Sequence, residues 1–310
     1  MQSAEAFGLS LEVDPELQAK GLRALGPRSH RPATVVRRAP VDEIVDRFGS
    51  SAERVRELKH PDGDLLLAID RGERGDYLVE APYHGRVLVS RDGMTVDCAP
   101  IDPADFRWQT LLHGQALPLA ATLRGLELFH AAGAARDGRV SLFSAASGVG
   151  KSTLLTNVLQ LGAELVSDDV VAVEIVDGVP LAHPGPGLVH LDPDAWERSR
   201  RPDGRLAEVS GYRSLKLALE APPISEPAPL TAVYLLERDE EAAEPRVEPI
   251  REGAPSLLLG ATFVQTVRDP ARLRRHLEVC AQVAQSAGIF RLMVPVGGSE
   301  AAAELVWSRL

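Results

Sequence analysis

The sequence predicts an α/β domain over residues 112–310, preceded by a smaller β-rich module over residues 1–111. The first observation is that a short apolar run, Val140–Phe143, leads into a glycine-rich loop, and a segment of helical character, Thr153–Leu161, follows that loop. The second is that short β-type runs fill the stretch between Arg54 and Cys98. With 310 residues, 45% of them hydrophobic, the chain can form one large or two ordinary domains with a sizeable core.

The N-terminal module begins with residues 1–40, whose richness in Pro, Arg and Gly predicts a loosely held arm with a short helix over Pro15–Leu25. The β-type runs that follow predict an antiparallel meander, because a turn signal separates each run from the next. A small sheet needs a cover for its apolar face, and we expect the helix that begins near Asp102-Pro103 to supply it. The predicted strands are Arg54–His60, Asp64–Ile69, Tyr77–Ala81, Arg86–Ser90 and Met94–Cys98.

The composition of the chain argues against several classes of binding partner and of stabilising bond. A net charge of −10 argues against a general binder of nucleic acid or of acidic membranes, because either function needs a basic face. The sequence contains no apolar run of membrane-spanning length and does not begin with a signal-peptide pattern, so we expect a cytoplasmic protein. Cys98 and Cys280 are far apart and have no metal-ligand spacing, which argues against a disulfide framework.

The strongest motif is the eight-residue window Ala145–Ser152, which fits the phosphate-loop pattern G-x-x-x-x-G-K-[ST] except that Ala145 replaces the first glycine. Glycines let the backbone point its N–H groups inward, and the following helix adds its positive dipole end, so main chain and dipole together can hold a polyphosphate. Lys151 can reach the β- and γ-phosphates, and the Ser152 hydroxyl can ligate Mg²⁺. A strand-to-helix connection without a ligand is the alternative. The predicted nucleotide-binding residues are Ser147, Gly148, Val149, Gly150, Lys151, Ser152 and Thr153.

Two adjacent carboxylates follow the predicted helix. The short apolar strand Ala163–Val166 delivers Asp168 and Asp169 to its far end, which in a parallel sheet shares a crevice with the phosphate loop. They could ligate Mg²⁺, accept a proton from an attacking hydroxyl, or perform one role each. We assign Ser152 and Asp169 to the metal and leave open which aspartate is the base. A solvated turn or helix cap is the alternative for such a pair.

These residues resemble a known family. The succession of His130, SLFSAASGVGKSTL and GAELVSDDVVAVE is similar to the catalytic domain of HPr kinase/phosphorylase, and more closely to the HPr kinase-like serine kinases of peptide-tailoring and related gene clusters. In that family a strand with a His, a hairpin, the phosphate loop, one helix and an Asp-Asp pair follow at this spacing. The resemblance is specific over about Leu126–Glu174, looser towards the C-terminus and absent before about residue 110.

The resemblance implies a phosphate-loop kinase domain with a mixed sheet, which binds ATP and Mg²⁺ on Ser147–Ser152. It implies a general base at Asp168 or Asp169 and places His130 near the transferred phosphoryl group. It also implies a Ser or Thr acceptor on a peptide or protein, and a possible homo-oligomer. The bifunctional members carry Glu directly after the Lys-Ser pair, whereas this chain has Thr153, which favours a plain kinase over phosphorolysis and over HPr as substrate.

Other functions stay open at this stage. The acceptor could be a small-molecule hydroxyl, or the protein could be a non-catalytic nucleotide sensor whose N-terminal module is an interaction surface. A motor ATPase of the ABC type is disfavoured because the chain has no LSGGQ-like signature. Arg213 or Lys216, in a polar stretch that could cover the site, could neutralise the transferred phosphoryl group, and nothing local decides a role for Arg291.

The C-terminal half predicts alternating strands, turns and helices. Arg238–Glu248 is charged and predicts an exposed turn after a strand over Leu230–Glu237. The longest helix carries an apolar series that we expect to face the core, namely Leu273, Leu277, Val279, Cys280 and Val283. The other predicted elements are a hairpin of Val170–Val176 and Val179–His183, a helix starting at Pro193, helices over Pro255–Thr262, Pro270–Ala287 and Ser299–Arg309, and a strand over Phe290–Val296.

Overall fold

The computed structural model describes residues 1–24, 32–199, 206–210 and 215–310. The chain divides into two compact units. The first comprises Met1–Leu126, Ala207–Lys216 and Val264–Val267, and the second comprises Glu127–Leu206, Leu217–Phe263 and Arg268–Leu310. Among the described residues, no helix combines the length and the apolar character that a membrane span requires.

The first unit is built on one mixed sheet with the strand order β3-β1-β2-β4-β9-β8-β7-β6-β5. Strands β5 to β9 pair antiparallel in sequence order, which confirms the predicted meander. Trp108 and Leu111 are buried on the helix that packs against β8, which confirms the predicted cover of the sheet. The strands are β1 (Gln2–Ala6), β2 (Leu9–Val13), β3 (Arg23–Ala24), β4 (Thr34–Arg38), β5 (Ala52–Lys59), β6 (Leu65–Gly72), β7 (Tyr77–Ala81), β8 (Gly85–Val89) and β9 (Thr95–Pro100). The helices are α1 (Val41–Phe48), α2 (Arg107–Leu111) and α3 (Leu117–Leu123), with a π-helical turn over Leu112–Ala116.

The prediction of a loose N-terminal arm is wrong. Residues 2–13 form the hairpin of β1 and β2, whose buried side chains include Leu11 and Val13, and β2 continues the sheet through a parallel pairing with β4. Of the helix predicted over residues 15–25, the described part, residues 15–24, contains only a 3₁₀ turn at Pro15–Leu17, which ends at Gln18 with a left-handed φ of 48°. The high Pro, Arg and Gly content of residues 1–40 as a whole concealed the alternating apolar pattern of the first strands.

The second unit contains the predicted α/β arrangement with a mixed sheet, in the order β10-β14-β15-β19-β12-β11-β13, and β21 pairs with β19. Strands β12, β19 and β21 are parallel neighbours. The strands from here to the C-terminus are β10 (Glu127–Phe129), β11 (Ala131–Arg136), β12 (Arg139–Ser144), β13 (Glu164–Ser167), β14 (Val171–Val176), β15 (Val179–His183), β16 (Leu188–Leu191), β17 (Leu206–Ser210), β18 (Leu215–Glu220), β19 (Ala228–Asp239), β20 (Arg246–Pro249) and β21 (Gly288–Pro295). The helices are α4 (Lys151–Gln160), α5 (Pro193–Ser199), α6 (Ala254–Gly260), α7 (Pro270–Ser286) and α8 (Ser299–Trp307).

One edge of this sheet collects the ends of two strands. Strand β11 pairs antiparallel with both β12 and β13, so β12 and β13 run in the same direction and end on the same edge. The chain leaves β12 into a glycine loop (residues 145–150) and enters α4, whose Leu154, Leu155 and Val158 are buried in the core. The fold therefore brings the glycine loop and the aspartate pair to one edge of the sheet.

Helix α7 confirms one part of the prediction about its buried face and corrects another. Val279, Cys280 and Val283 are buried as predicted. Leu273 and Leu277 are 48% and 52% exposed, whereas the buried side chains of this helix include the polar residues Arg272 and His276. These two polar residues contact Glu127, which is fully buried on β10, so the helix turns them inward and turns the two leucines outward. The free thiol of Cys280 lies on the same buried face, and the other free cysteine, Cys98, is buried in the first unit.

Candidate functional site

The glycine loop has the backbone conformation that its glycines permit. Gly148 has φ 85° and Gly150 has φ 119°, a region that side chains with a Cβ rarely adopt. Helix α4 begins at the next residue, Lys151, and the first-turn N–H groups of a helix have no intrahelical acceptor. The loop and the start of α4 therefore form a place where an anion can be held by main-chain groups.

The Lys151 side chain is buried and crosses the loop. Its Nζ donates to the carbonyl oxygen of Ala145 at 2.9 Å and lies 2.9 Å from Nε2 of His130. The amine is thus held between the start of the loop and the residue that joins β10 to β11.

Backbone and ring contacts fix His130. Its N–H donates to the carbonyl oxygen of Ala261 at 2.7 Å, and its own carbonyl oxygen accepts from Ser144 Oγ at 3.0 Å. The ring stacks on Phe263, with ring centroids 5.9 Å apart and an angle of 25° between the planes. The imidazole therefore has one orientation, with one nitrogen towards Lys151 and the other towards Asp169, whose Oδ1 lies 3.4 Å from Nδ1.

The surroundings of His130 keep its ring neutral at pH 7. Burial lowers the pKa of His130, the carboxylate of Asp169 partly opposes this effect, and the charge of Lys151 adds to it. Because the Lys151 amine can only donate, Nε2 is the acceptor and Nδ1 carries the proton. The result is a chain of three groups: an ammonium, a neutral imidazole and a carboxylate.

Asp168 has a different environment from its neighbour. It is 9% exposed; Oδ1 accepts from Ser152 Oγ at 2.9 Å, and Oδ2 accepts from the N–H of His190 at 2.9 Å. Burial raises the pKa of the Asp168 carboxyl above its usual range, and the hydrogen bonds and His190 only partly offset this effect. No ion pair joins Asp168 to a lysine or arginine within the described residues. Asp168 is thus a buried carboxylate beside the first turn of α4, with two neutral hydrogen-bond donors and an electrostatic contribution from His190.

Asp169 occupies a tight turn between β13 and β14. Its φ is 67°, and the N–H of Val170 donates to the carbonyl oxygen of Asp168 at 2.8 Å across it. This turn points Asp168 towards Ser152 and Asp169 towards His130. The Asp169 side chain is 54% exposed, so an external group can reach it.

The structure brings together His130, Lys151, Ser152, Asp168 and Asp169, all of which the sequence analysis singled out. The other predicted loop residues surround them: Ser147 and Gly148 are exposed, Thr153 is half-buried, and Val149 packs against the core. Arg213 lies outside the described residues, Lys216 belongs to the first unit, and Arg291 pairs with Glu237. The contacts that the sequence could not indicate are those of main-chain groups, namely the carbonyl oxygen of Ala145 and the N–H of His190.

The donor set also limits how a metal could be held. The described part of the chain contains no group of three or more His, Cys, Asp and Glu side chains that could hold a metal ion. A cation at this site would therefore depend on Ser152, Asp168 and oxygens of a bound ligand. This is the usual situation for Mg²⁺ in phosphoryl-transfer sites, where one or two carboxylates act together with substrate phosphates.

Comparison with known proteins gave distant likenesses among solved structures only. No protein-family model and no curated protein matches the chain. Among solved structures, the chain is similar to the structure of the Hpr(Ser) kinase/phosphatase from Coxiella burnetii, at 11% sequence identity and a TM-score of 0.31. The match covers 59% of this chain and 92% of that one. At this sequence identity, the likeness concerns structure only and gives no information about shared chemistry.

Proposed function

We propose that the protein is an ATP-dependent kinase that transfers the γ-phosphoryl group to a hydroxyl, with a Ser or Thr of a peptide or protein as the acceptor. The observation that carries the proposal is that the two aspartates after β13 face different partners beside one glycine loop. Asp168 contacts the Ser152 hydroxyl, while Asp169 faces His130, which contacts Lys151. A site for binding alone needs no second carboxylate held in this way.

The residues fit Mg²⁺ as a cofactor. The hydroxyl of Ser152 and the carboxylate of Asp168 are oxygen donors, which this hard cation prefers. A divalent cation beside Asp168 would favour its ionised form and so reverse the effect of burial on its pKa. When bound, Mg²⁺ would offset negative charge on the phosphates.

In this proposal the chain's own groups divide the work. The loop N–H groups and the Lys151 amine bind the polyphosphate, and Lys151 can do so by exchanging its present acceptor, the carbonyl oxygen of Ala145, for a phosphate oxygen. Ser152 and Asp168 hold the metal. The Asp169 carboxylate accepts the proton of the acceptor hydroxyl, because it is half-exposed whereas Asp168 is buried. The His130 ring lies beside Asp169, with Nδ1 3.4 Å from Oδ1.

This assignment revises one expectation from the sequence. There the metal was assigned to Ser152 and Asp169, and either aspartate could be the base. The contact between Ser152 Oγ and Asp168 favours Asp168 as the metal ligand, which leaves Asp169 as the base. The acceptor class rests on the family resemblance of the phosphate-loop segment, and the exposure of Asp169 is compatible with a large substrate.

The proposal is tested by incubating the protein with γ-labelled ATP, Mg²⁺ and a panel of Ser- and Thr-containing peptides. Label on a peptide hydroxyl is expected for the wild type, with a loss of about 100-fold or more in both Lys151→Ala and Asp169→Asn. The two variants should differ in binding: Asp169→Asn keeps its affinity for ATP, whereas Lys151→Ala loses it.

Asn is the suitable replacement at position 169 because it tolerates the left-handed φ of this turn and removes only the charge. Label that appears only in free phosphate, or an Asp169→Asn variant as active as the wild type, would contradict the proposed peptide kinase. A small-molecule acceptor would then be favoured in the first case and a nucleotide sensor in the second.

A further inference from the structure

A second cation lies close to the glycine loop. Strand β19 is parallel to β12, and Leu235 is in register with Ser144, the last residue of β12. Strand β19 continues to Asp239. Its residues after Leu235 therefore extend beyond the end of β12, where the glycine loop begins. The expectation that Arg238 belongs to an exposed turn is therefore wrong, because it lies within the strand.

The two neighbours of Arg238 are neutralised and Arg238 is not. Glu237 pairs with Arg291 at 2.9 Å, and Asp239 pairs with Arg246 at 2.9 Å. Successive side chains of a strand point to opposite faces, so Arg238 points away from both of these carboxylates. Within the described residues, the Arg238 side chain has no ion pair and no hydrogen bond.

The free guanidinium faces the loop. Its Nη2 lies 3.7 Å from the position that a Cβ on Gly150 would occupy. Gly150 directly precedes Lys151, so the guanidinium is beside the part of the loop where main-chain N–H groups and the lysine amine would meet a phosphate. A guanidinium carries a permanent positive charge and N–H groups that can donate to phosphate oxygens.

We propose that Arg238 binds a phosphate group of the nucleotide held by the glycine loop, which rests on the proposed function of that loop as an ATP site. Among the described residues, Arg238 has no partner that a phosphate would have to displace. It supplies a second cation, from β19, beside the last residue of the loop.

The test is isothermal titration of the full-length protein with ATP and Mg²⁺. Replacing the guanidinium in Arg238→Ala should raise the Kd for ATP about tenfold, and Arg238→Lys should keep it within about threefold of the wild type, because the charge is retained. The matched control is Arg291→Ala, which removes an exposed guanidinium from the neighbouring strand, and its Kd should change by less than about twofold. Arg238 is exposed and Arg291 belongs to an exposed ion pair. Arg238→Ala, Arg238→Lys and Arg291→Ala should therefore melt at the wild-type temperature without ligand.

Three results would overturn the inference. One is an Arg238→Ala protein that binds ATP as tightly as the wild type. Another is equal weakening in Arg238→Ala and Arg291→Ala, which would indicate a general effect of charge. The third is that Arg238→Lys binds as weakly as Arg238→Ala.

Lys151→Ala separates the two proposals: if it abolishes ATP binding while Arg238→Ala has no effect, only the role of Arg238 fails. If the wild type does not bind ATP, both proposals fail.

Discussion

Two buried carboxylates of the second unit have opposite surroundings. Glu127 is fully buried and lies within 3.0 Å of two arginines and a histidine: Arg275 Nε donates to Oε1 at 2.9 Å, and Arg272 and His276 approach Oε2. Asp168 is 9% exposed and has a hydroxyl and a main-chain N–H as its partners. Two arginines and a histidine contact the first carboxylate, whereas the second has neutral hydrogen-bond donors and only an electrostatic contribution from His190.

The difference in surroundings indicates which carboxylate serves the fold and which serves a functional site. A buried carboxylate that serves the fold is matched by opposite charge, because desolvation of an unmatched charge is costly. Asp168 keeps that cost, as its raised pKa indicates, and it does so beside a hydroxyl and a helix start. Groups that are costly to the fold and remain unmatched are characteristic of functional sites. The contrast thus supports a cationic ligand at Asp168, and it can be tested at both residues.

The largest expected effect is on catalysis at Asp168. In the proposed kinase, Asp168→Asn should lower the rate of phosphoryl transfer about 1000-fold, equivalent to about 4 kcal/mol, because an amide cannot replace the carboxylate at the proposed metal site. The measurement is the initial rate of peptide labelling at saturating ATP and Mg²⁺. Glu174→Gln, which removes a carboxylate next to His183 in the same unit, should stay within about twofold of the wild type. Near-normal activity in Asp168→Asn would contradict the functional role that the comparison gives to Asp168.

The next effect is on stability at Glu127. Glu127→Gln should lower the free energy of unfolding by about 3 kcal/mol, because it leaves the buried Arg272 without a counter-charge. Denaturant titration monitored by circular dichroism measures this change. Glu237→Gln removes one partner of an exposed ion pair and should cost less than about 1 kcal/mol. A Glu127→Gln protein as stable as this control would show that the charges around Glu127 do not matter to the fold.

The smallest effect is on stability at Asp168, and it has the opposite sign. Because the pKa of Asp168 is higher in the folded chain than in an unfolded one, the ionised carboxylate disfavours the fold. This penalty is present above the folded-state pKa and disappears as the pH falls through it towards the unfolded value. Asp168→Asn should therefore raise the melting temperature at pH 7.5 by about 2–4 °C, on the order of 1 kcal/mol, and the gain should shrink in acid. A melting temperature below that of the wild type at pH 7.5 would contradict the comparison.

The sequence predicted the parts of the site whose signal is local. Strand β12, the glycine loop and α4 follow from glycine positions and short-range hydrophobic patterns. It also placed Asp168 and Asp169 at the end of a strand. Which aspartate faces which partner depends on the left-handed turn at position 169, and no residue type encodes that choice uniquely.

Long-range pairings were beyond the reach of the sequence. The sequence predicted the burial of Val279, Cys280 and Val283 on α7 but wrongly added Leu273 and Leu277. Arg272 and His276 are buried there because they contact Glu127, more than 140 positions earlier in the chain. Arg238 was missed for the same reason, because its position beside Gly150 follows from the parallel pairing of β19 with β12. In both cases a charged residue is placed by a partner that is distant in the chain.

The burial of both cysteines makes the native chain a suitable background for site-specific labelling. Burial raises the pKa of the Cys280 thiol to about 12 and that of Cys98 still higher, so neither forms the reactive thiolate at neutral pH. A cysteine introduced at the exposed position 147 would then carry a maleimide dye without prior removal of a native thiol. Fluorescence from that dye would follow events at the glycine loop in a protein that is otherwise wild type.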